Sequence, residues 1–196
     1  EMIRAMRQPV STEGSAAIST TVNSARRGVQ PAARADQTSF GSTAAVRPAA
    51  RAHVKEALLR PGPPVFVRVN HPSTGETAAD LAVLGGERLV GVILPKADTV
   101  EDLRALDRLL GPIESTLAKP LCIAPMVESC LGLRHTFEVA NASARVAVAV
   151  FASAEEGDFI LDLGGRWTPE GQAMLYPRSR HVCDARAAGI ESLIDG

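Results

Sequence analysis

The chain has 196 residues, of which 45% are hydrophobic and 22% are charged, as expected for one globular domain with a sizeable core. Its 21 basic and 22 acidic residues give a net charge of -1, so we expect no general attraction to nucleic acid or to a membrane surface. No apolar run approaches the length of a membrane span. Three cysteines without zinc-like spacing predict reduced, mainly packing thiols and a cytoplasmic location. These features favour small molecules or other subunits as partners.

Residues 1–45 differ from the rest of the chain. They are rich in Ser, Thr, Ala, Arg and Gly, and they show neither a strand period nor a helix period. We expect an irregular or disordered segment there, interpreted as a dispensable tail in preference to an organelle transit peptide. The folded domain is predicted for residues 46–196.

The elements predicted in chain order alternate between apolar runs and helix patterns. The first half reads as a helix over Pro48–Leu59, a strand over Val65–Asn70, a helix over Glu76–Leu84, a strand over Val90–Leu94, and a helix from a Thr99 capping box to about Leu110. Gly111-Pro112 is expected to end that helix, with a short second helix through Leu117 as an alternative.

The second half repeats the alternation. It reads as a strand over Leu121–Val127, a helix capped by Ser129 and running to Asn141, a strand over Val146–Phe151, a helix starting at Thr168-Pro169 and running toward Ala188, and a strand over Ile190–Ile194. Pro177 is expected to kink or break the last helix. Repeated strand–helix units predict an α/β fold with a parallel sheet, open or closed into a barrel.

Several strands lead directly to polar residues, and ligands bind at that end of parallel strands. Glu128 follows one strand and Asp158 lies shortly after another, so the two carboxylates form a candidate Mg²⁺ site. In the alternative interpretation, each acid only caps the helix that follows it. Arg68, at the end of the first strand, is interpreted as a buried guanidinium that binds a substrate carboxylate, or else as half of a buried salt bridge.

Two further polar residues are candidates for substrate binding. Lys96 is suited to orient a substrate oxygen or to form a Schiff base, although a lysine at a strand end is also commonly solvated or paired. Asn70 either supports the Arg68 site or satisfies loop backbone. The four histidines have no spacing that indicates a metal site.

Short motifs in a fixed order resemble those of the citrate lyase beta subunit and malyl-CoA lyase family, within the HpcH/HpaI aldolase/citrate lyase superfamily. The resembling motifs are Arg68-Val69-Asn70, Leu94-Pro95-Lys96, Pro125-Met126-Val127-Glu128-Ser129, Gly157-Asp158-Phe159, Asp162-Leu163-Gly164, Arg178-Ser179 and Ala187-Ala188-Gly189-Ile190. The resemblance runs from about Val46 to Gly196.

This resemblance implies a TIM (β/α)8 barrel, bound Mg²⁺, and a reaction that makes or breaks a carbon–carbon bond between an acyl-CoA enolate and a 2-oxo acid. It implies that Glu128 and Asp158 are the two metal carboxylates and that Arg68 binds the oxo acid. It also implies a homo-oligomer, either a trimer or a hexamer.

The chain also departs from the family pattern. Gly41-Ser42-Thr43-Ala44 stands where the family has an acidic Asp-Leu-Glu-Asp motif, and the barrel-closing motifs of the family are not found before Gly196. We therefore expect a barrel incomplete at both ends. Two alternatives to a Mg²⁺-dependent lyase follow: a catalytically impaired remnant or assembly subunit, and a metal-dependent aldolase acting on 2-oxo acids.

Overall fold

The described part of the computed structural model, residues 47–115, 117 and 119–196, contains one parallel sheet. Its strands are β1 (Val65–Arg68), β2 (Leu89–Leu94), β3 (Cys122–Val127), β4 (Val148–Phe151) and β5 (Ser192–Asp195). They pair in chain order, each parallel to the next. The predicted α/β class with a parallel sheet is confirmed. The segment predicted to be irregular, 1–45, lies outside the described residues.

Helices connect the strands. Their bounds are α1 (Arg47–Leu59), α2 (Thr77–Leu81), α3 (Val100–Glu114), α4 (Cys130–Arg134), α5 (Thr136–Ala140), α6 (Asp158–Leu163) and α7 (Gln172–Ala187), with a 3-10 turn at Pro72–Thr74. Within the described ranges, none of these helices has the length and apolar character needed to cross a membrane.

The helix predicted to end at Leu84 ends at Leu81, and three further predicted helix boundaries are wrong. α3 continues through Gly111-Pro112, and both residues are exposed. Pro112 lacks the N–H that would bond to the Arg108 carbonyl oxygen, but at this exposed position water can take its place. The helix predicted from Ser129 to Asn141 is two short helices separated at His135, whose ring contacts the Asp98 carbonyl oxygen at 2.8 Å.

The last wrong boundary is the start of α7. This helix begins at Gln172 instead of Thr168, after Gly171 adopts a left-handed conformation with φ of 66°. It also continues through Pro177, so the predicted break does not occur. Pro177 is buried, and its packing offsets part of the lost backbone bond.

The two faces of the sheet pack in different ways, because successive side chains of a strand point to opposite faces. Val92, Leu94 and Ile123 belong to the main core, together with Leu103, Leu106 and other buried residues of the helices. The opposite face carries a smaller cluster of buried residues, namely Ile93, Ala124, Val148 and Val150. A sheet apolar on both faces needs cover on both faces, as a barrel provides.

Parallel pairing brings the carboxyl ends of all five strands to one edge of the sheet. The register pairs Arg68 with Ile93, Leu94 with Pro125, and Val127 with Phe151. The residues that follow each strand therefore meet at this edge, which we call the rim.

Gly91 is a point of close approach between strands. A Cβ atom built on Gly91 would lie 2.4 Å from the Cys122 carbonyl oxygen and 2.6 Å from Cε1 of Phe66. Backbone in a paired strand cannot move aside as the end of a side chain can. Only glycine therefore fits at this position in β2.

We predict that Gly91→Ala lowers the free energy of unfolding by about 1 to 3 kcal/mol through overpacking. Gly85→Ala is the matched control, since a Cβ there has no neighbour within 4 Å. Urea denaturation of both variants measures the difference. Equal stabilities would contradict the close packing assigned to Gly91.

His181 of α7 is a polar side chain in the core. Only 2% of the residue is exposed, neither ring nitrogen makes a hydrogen bond of good geometry, and its ring centroid lies 5.5 Å from that of Phe151. Burial lowers the pKa of His181, and the negative charges of Asp195 and Asp184 and the nearby Ala149 backbone oppose this effect only in part. The folded protein therefore holds His181 as the neutral imidazole.

Because the pKa of His181 is lower in the folded chain than in the unfolded chain, acid favours unfolding. The contribution of neutral His181 to the free energy of unfolding should be fully present above about pH 6.5. It should fall as the pH drops toward the pKa of His181 in the folded protein, by at most about 1.4 kcal/mol per pH unit. Urea denaturation between about pH 7.5 and 5.5 measures this slope. His181→Phe should remove it and His53→Leu, at an exposed position, should keep it. An unchanged slope in His181→Phe would refute this assignment.

Candidate active site at the strand ends

Glu128 lies at the centre of the rim, directly after β3. The residue is 6% exposed, and its Oε2 atom accepts a hydrogen bond of 2.9 Å from the Lys96 backbone N–H. Its Oε1 atom lies 3.4 Å from Nη2 of Arg68. The helix-cap interpretation does not apply to Glu128, because the cap of α4 is Ser129, whose Oγ accepts from Gly132 N at 2.9 Å.

Arg68 ends β1 and faces solvent more than the sequence suggested. Its side chain is 39% exposed, so the prediction of a buried guanidinium is wrong. The reason is its position at the end of a four-residue strand, where the chain leaves the sheet. It does pair with an acid, as the salt-bridge interpretation expected, and the exposed part leaves guanidinium N–H groups open to a ligand.

Lys96 connects the two carboxylates. Its backbone N–H holds Glu128, and its Nζ atom lies 3.3 Å from Oδ2 of Asp158. The backbone of Lys96 is left-handed, with φ of 45°, which is uncommon for a residue other than glycine. The peptide N–H of Lys96 thus contacts Glu128 after β3, while its side chain reaches Asp158 in the segment after β4.

Asp158 is the first residue of α6 and follows Gly157, the N-cap of that helix. Its side chain is 27% exposed, so the carboxylate is accessible from the rim. A carboxylate in the first turn of a helix is favoured by the unpaired N–H groups there. The capping interpretation therefore applies in part to Asp158 and does not prevent metal binding.

The Arg68–Glu128 and Lys96–Asp158 pairs are longer than the remaining ion pairs of arginine in the described residues. Arg68–Glu128 and Lys96–Asp158 measure 3.4 and 3.3 Å, whereas Arg51–Asp80 measures 2.8 Å and Arg145–Asp107 measures 2.7 Å. Charge-assisted hydrogen bonds are normally about 2.7 to 2.9 Å. The charges of these two pairs thus neutralise one another at longer distances, which suits groups that exchange partners when a ligand enters.

Asn70 is tied to a polar cluster beside the rim. Its backbone N and its Nδ2 both donate to Oδ2 of Asp80 at 2.7 Å, and Oδ1 of Asp80 accepts from Nε of Arg51 at 2.8 Å. The Thr77 hydroxyl donates to the Asn70 carbonyl oxygen at 2.8 Å. These bonds fix the chain just after Arg68. A direct contact between Asn70 and substrate stays a prediction.

Asp98 also belongs to the rim, although the sequence analysis did not identify it. Its Oδ1 accepts from the Ser129 hydroxyl at 2.5 Å, and its carbonyl oxygen contacts Nδ1 of His135 at 2.8 Å. These contacts join the segment after β2 to the segment after β3. The available signal was an acid two residues beyond Lys96, but its partner lies 31 residues away.

Two of the three cysteines do not pack as predicted. Cys122 is buried, whereas Cys130 and Cys183 are exposed. Cys130 lies next to Ser129 at the rim, and desolvation together with the nearby Asp162 raises the pKa of its thiol. A raised pKa lowers the thiolate fraction, so Cys130 is not an activated nucleophile.

The donor set fits Mg²⁺. This ion takes oxygen ligands, commonly one or two protein carboxylates, and completes its octahedron with water and substrate. In the described part of the chain, no group of three or more His, Cys, Asp and Glu side chains is placed to hold a metal. Glu128 and Asp158 supply two carboxylates at the rim, which is the number that a Mg²⁺ site commonly takes from the protein. Arg68 and Lys96 balance the two carboxylates, so an added dication would make the rim positive and suited to an anionic ligand.

Comparison with known proteins agrees with this geometry. A family model described as HpcH/HpaI aldolase/citrate lyase matches residues 36–195. A citrate lyase subunit beta-like protein of Deinococcus radiodurans is 34% identical over 151 residues, which are 76% of this chain and 50% of that protein. L-malyl-CoA/beta-methylmalyl-CoA lyase of Cereibacter sphaeroides is 30% identical over 128 residues, which are 60% of this chain and 39% of that protein. The chain thus spans half or less of the length of these relatives.

A solved structure gives the same result for the fold. The citrate lyase beta subunit of Mycobacterium tuberculosis, complexed with oxaloacetate and magnesium, is 26% identical, with a TM-score of 0.59 that covers 81% of this chain and 66% of that chain. The predicted TIM-barrel class is confirmed by this similarity and by the family match. Since the match spans most of the sequence and agrees with the parallel sheet, the chain belongs to the HpcH/HpaI aldolase/citrate lyase family.

Proposed function

We propose that this protein is a Mg²⁺-dependent carbon–carbon lyase that cleaves a 3-hydroxyacyl-CoA of the citryl, malyl or citramalyl type to an acyl-CoA and a 2-oxo acid. The observation that carries the proposal is the placement of Arg68, Glu128 and Asp158 at the rim, with Lys96 between the two acids. Membership of the family and the relatives described as lyases support it.

Each rim residue has a distinct role in this proposal. Glu128 and Asp158 would hold Mg²⁺, which when bound polarises the oxygen at the reacting carbon. Glu128 is the more rigid of the two ligands because the Lys96 N–H fixes one of its oxygens. Arg68 would bind the carboxylate of the 2-oxo acid with its planar fork, exchanging its long contact with Glu128 for shorter ones.

Lys96 would respond to metal binding. Its ammonium group lies where it neutralises Asp158, so a dication on Asp158 would repel it. The lysine side chain has rotatable bonds that allow it to turn toward an anionic substrate. We propose that Lys96 then contacts a substrate oxygen.

Two further proposals rest on the family resemblance and the free thiols: a cytoplasmic location and a homo-oligomer, either trimer or hexamer.

With Mg²⁺ present, the purified protein should cleave citryl-, malyl- or citramalyl-CoA, and Glu128→Gln or Asp158→Asn should abolish cleavage, because each removes one of the two charges that hold the metal. Release of the 2-oxo acid, with and without a chelator, measures the reaction. Isothermal titration with Mg²⁺ measures binding in the same variants. Glu101→Gln is the control, since Glu101 lies on the exposed side of α3 paired with Arg108.

Arg68→Ala should act mainly on substrate binding. Because the Arg68 side chain is 39% exposed, the loss in binding of the oxo acid should be smaller than for a buried pair. We expect about 1.5 to 3 kcal/mol if the carboxylate of the oxo acid pairs with Arg68, seen chiefly as a raised KM. Arg60→Ala, at an exposed pair with Glu56, should have no effect. A lowered kcat with unchanged KM would contradict this role for Arg68.

The outcomes separate the candidate functions. Absence of both cleavage and Mg²⁺ binding would remove the lyase proposal for this chain. Mg²⁺ binding without cleavage would favour the impaired or assembly role. Cleavage of 4-hydroxy-2-oxo acids that lack CoA, in preference to the acyl-CoA, would favour a metal-dependent aldolase instead.

A further inference from the structure

Arg178 carries contacts that the proposed function does not use. It lies in the first half of α7, and its Nη2 atom donates to the Ser153 hydroxyl at 2.8 Å. Its Nε atom lies 2.7 Å from Oδ2 of Asp195, an ion-pair contact in which Nε makes no hydrogen bond of good geometry. A Cβ atom on Gly171 would lie 3.0 Å from Nη1. The guanidinium is therefore held between the start of α7, the end of β5 and the segment after β4.

Ser153 is the contact through which Arg178 reaches the rim. Ser153 is 6% exposed, and its backbone N–H donates to the Gly196 carbonyl oxygen at 2.7 Å. The preceding Ala152 N–H donates to the Val127 carbonyl oxygen at 3.0 Å, directly before Glu128. The segment 152–157 is thus anchored at its start to both neighbouring strand ends.

The same segment delivers Asp158. It turns back through a hydrogen bond of 3.0 Å from Gly157 N to the Ala154 carbonyl oxygen and then enters α6, whose first residue is Asp158. Ser153 and Asp158 are five residues apart in a single connection without regular structure before α6. A displacement at Ser153 would therefore also displace the carboxylate of Asp158, which directly follows this segment.

The exposure of the ion pair indicates what these contacts do. The side chains of Arg178 and Asp195 are 38% and 46% exposed, and exposed pairs add little to stability. Position matters far more at a reacting centre, where a shift of about 1 Å can cost on the order of 100-fold in rate. The contacts of Arg178 are better explained by placement of the segment than by stability of the fold.

We propose that Arg178 is a positioning residue that acts through Ser153 to hold segment 152–157, and thereby sets the place of the Asp158 carboxylate relative to Glu128. This inference rests on the proposed function, since it assigns Arg178 to the metal-binding role of Asp158. Arg178 itself is not placed in contact with metal or substrate.

The test is Mg²⁺ affinity, measured by isothermal titration on the full chain for the wild type and for Arg178→Gln, Ser153→Ala and Asp158→Asn. We expect Arg178→Gln and Ser153→Ala each to weaken Mg²⁺ binding by about 10- to 100-fold, the size of effect seen when the groups supporting a metal ligand are removed. The double variant should bind Mg²⁺ no more weakly than Arg178→Gln alone, because both substitutions remove the same contact between Arg178 and Ser153. Arg178→Lys should restore binding only in part, since an ammonium lacks the fork that spans Ser153 and Asp195.

Arg180→Gln is the matched control. Arg180 lies in the same helix, two residues further on, in an exposed pair with Asp184, and its loss should leave Mg²⁺ affinity unchanged. Thermal unfolding measured by circular dichroism accompanies each titration. If Arg178→Gln does not fold, the Mg²⁺ affinity of Ser153→Ala tests the positioning role.

Two results would overturn the inference in distinguishable ways. If the wild type binds no Mg²⁺, or if Asp158→Asn binds it equally well, the proposed function fails and the role of Arg178 fails with it. If Asp158→Asn loses binding while folded Arg178→Gln or folded Ser153→Ala binds like the wild type, the positioning role alone is refuted.

Discussion

Parallel pairing of successive strands is the constraint on which the site of this protein depends. Because β1 to β5 pair in chain order and point the same way, residues separated by tens of positions come to one edge without any long connection crossing the sheet. Arg68, Lys96, Glu128 and Asp158 are spread over 91 positions of sequence, from 68 to 158 with both ends counted, yet each follows or ends a strand. The direction of the strands thus determines where the site lies, and the side chains determine its chemistry.

At that edge, hydrogen bonds of the backbone position the charged side chains more firmly than their ion pairs with one another do. Glu128 is held by a peptide N–H, the segment that precedes Asp158 is held by two neighbouring carbonyl groups, and Ser129 is held by its own helix and by Asp98. The ion pairs of Glu128 with Arg68 and of Asp158 with Lys96 are long by comparison. A scaffold of short backbone bonds with loosely paired charges allows ligands to enter without disturbing the framework that positions the carboxylates.

The strands and the rim acids could be predicted from sequence because their signals are local. An apolar run such as Leu121–Val127 followed at once by Glu128 shows both the strand and the polar group at its end. The helix ends were harder to predict, because His135 and Pro177 follow their tertiary contacts more than their own propensities. Gly111-Pro112 is different, since both residues are exposed and the helix continues through them without tertiary support. The same limit applies to the supporting residues. Asp98, Ser153 and Asp195 matter through partners distant in sequence, and no periodicity reveals such pairs.

The left-handed backbone of Lys96 affects how this protein can change. Such a conformation in a residue other than glycine carries a cost of the order of 1 to 3 kcal/mol, which the rest of the fold must offset. Glycine or asparagine would adopt the same turn more easily, so selection for thermal stability alone would tend to replace this lysine and remove a charge from the rim. The role proposed for the Lys96 side chain at the rim would account for a lysine at this turn, whereas folding alone would not. Stabilised variants of this chain are therefore best sought with Lys96 held constant.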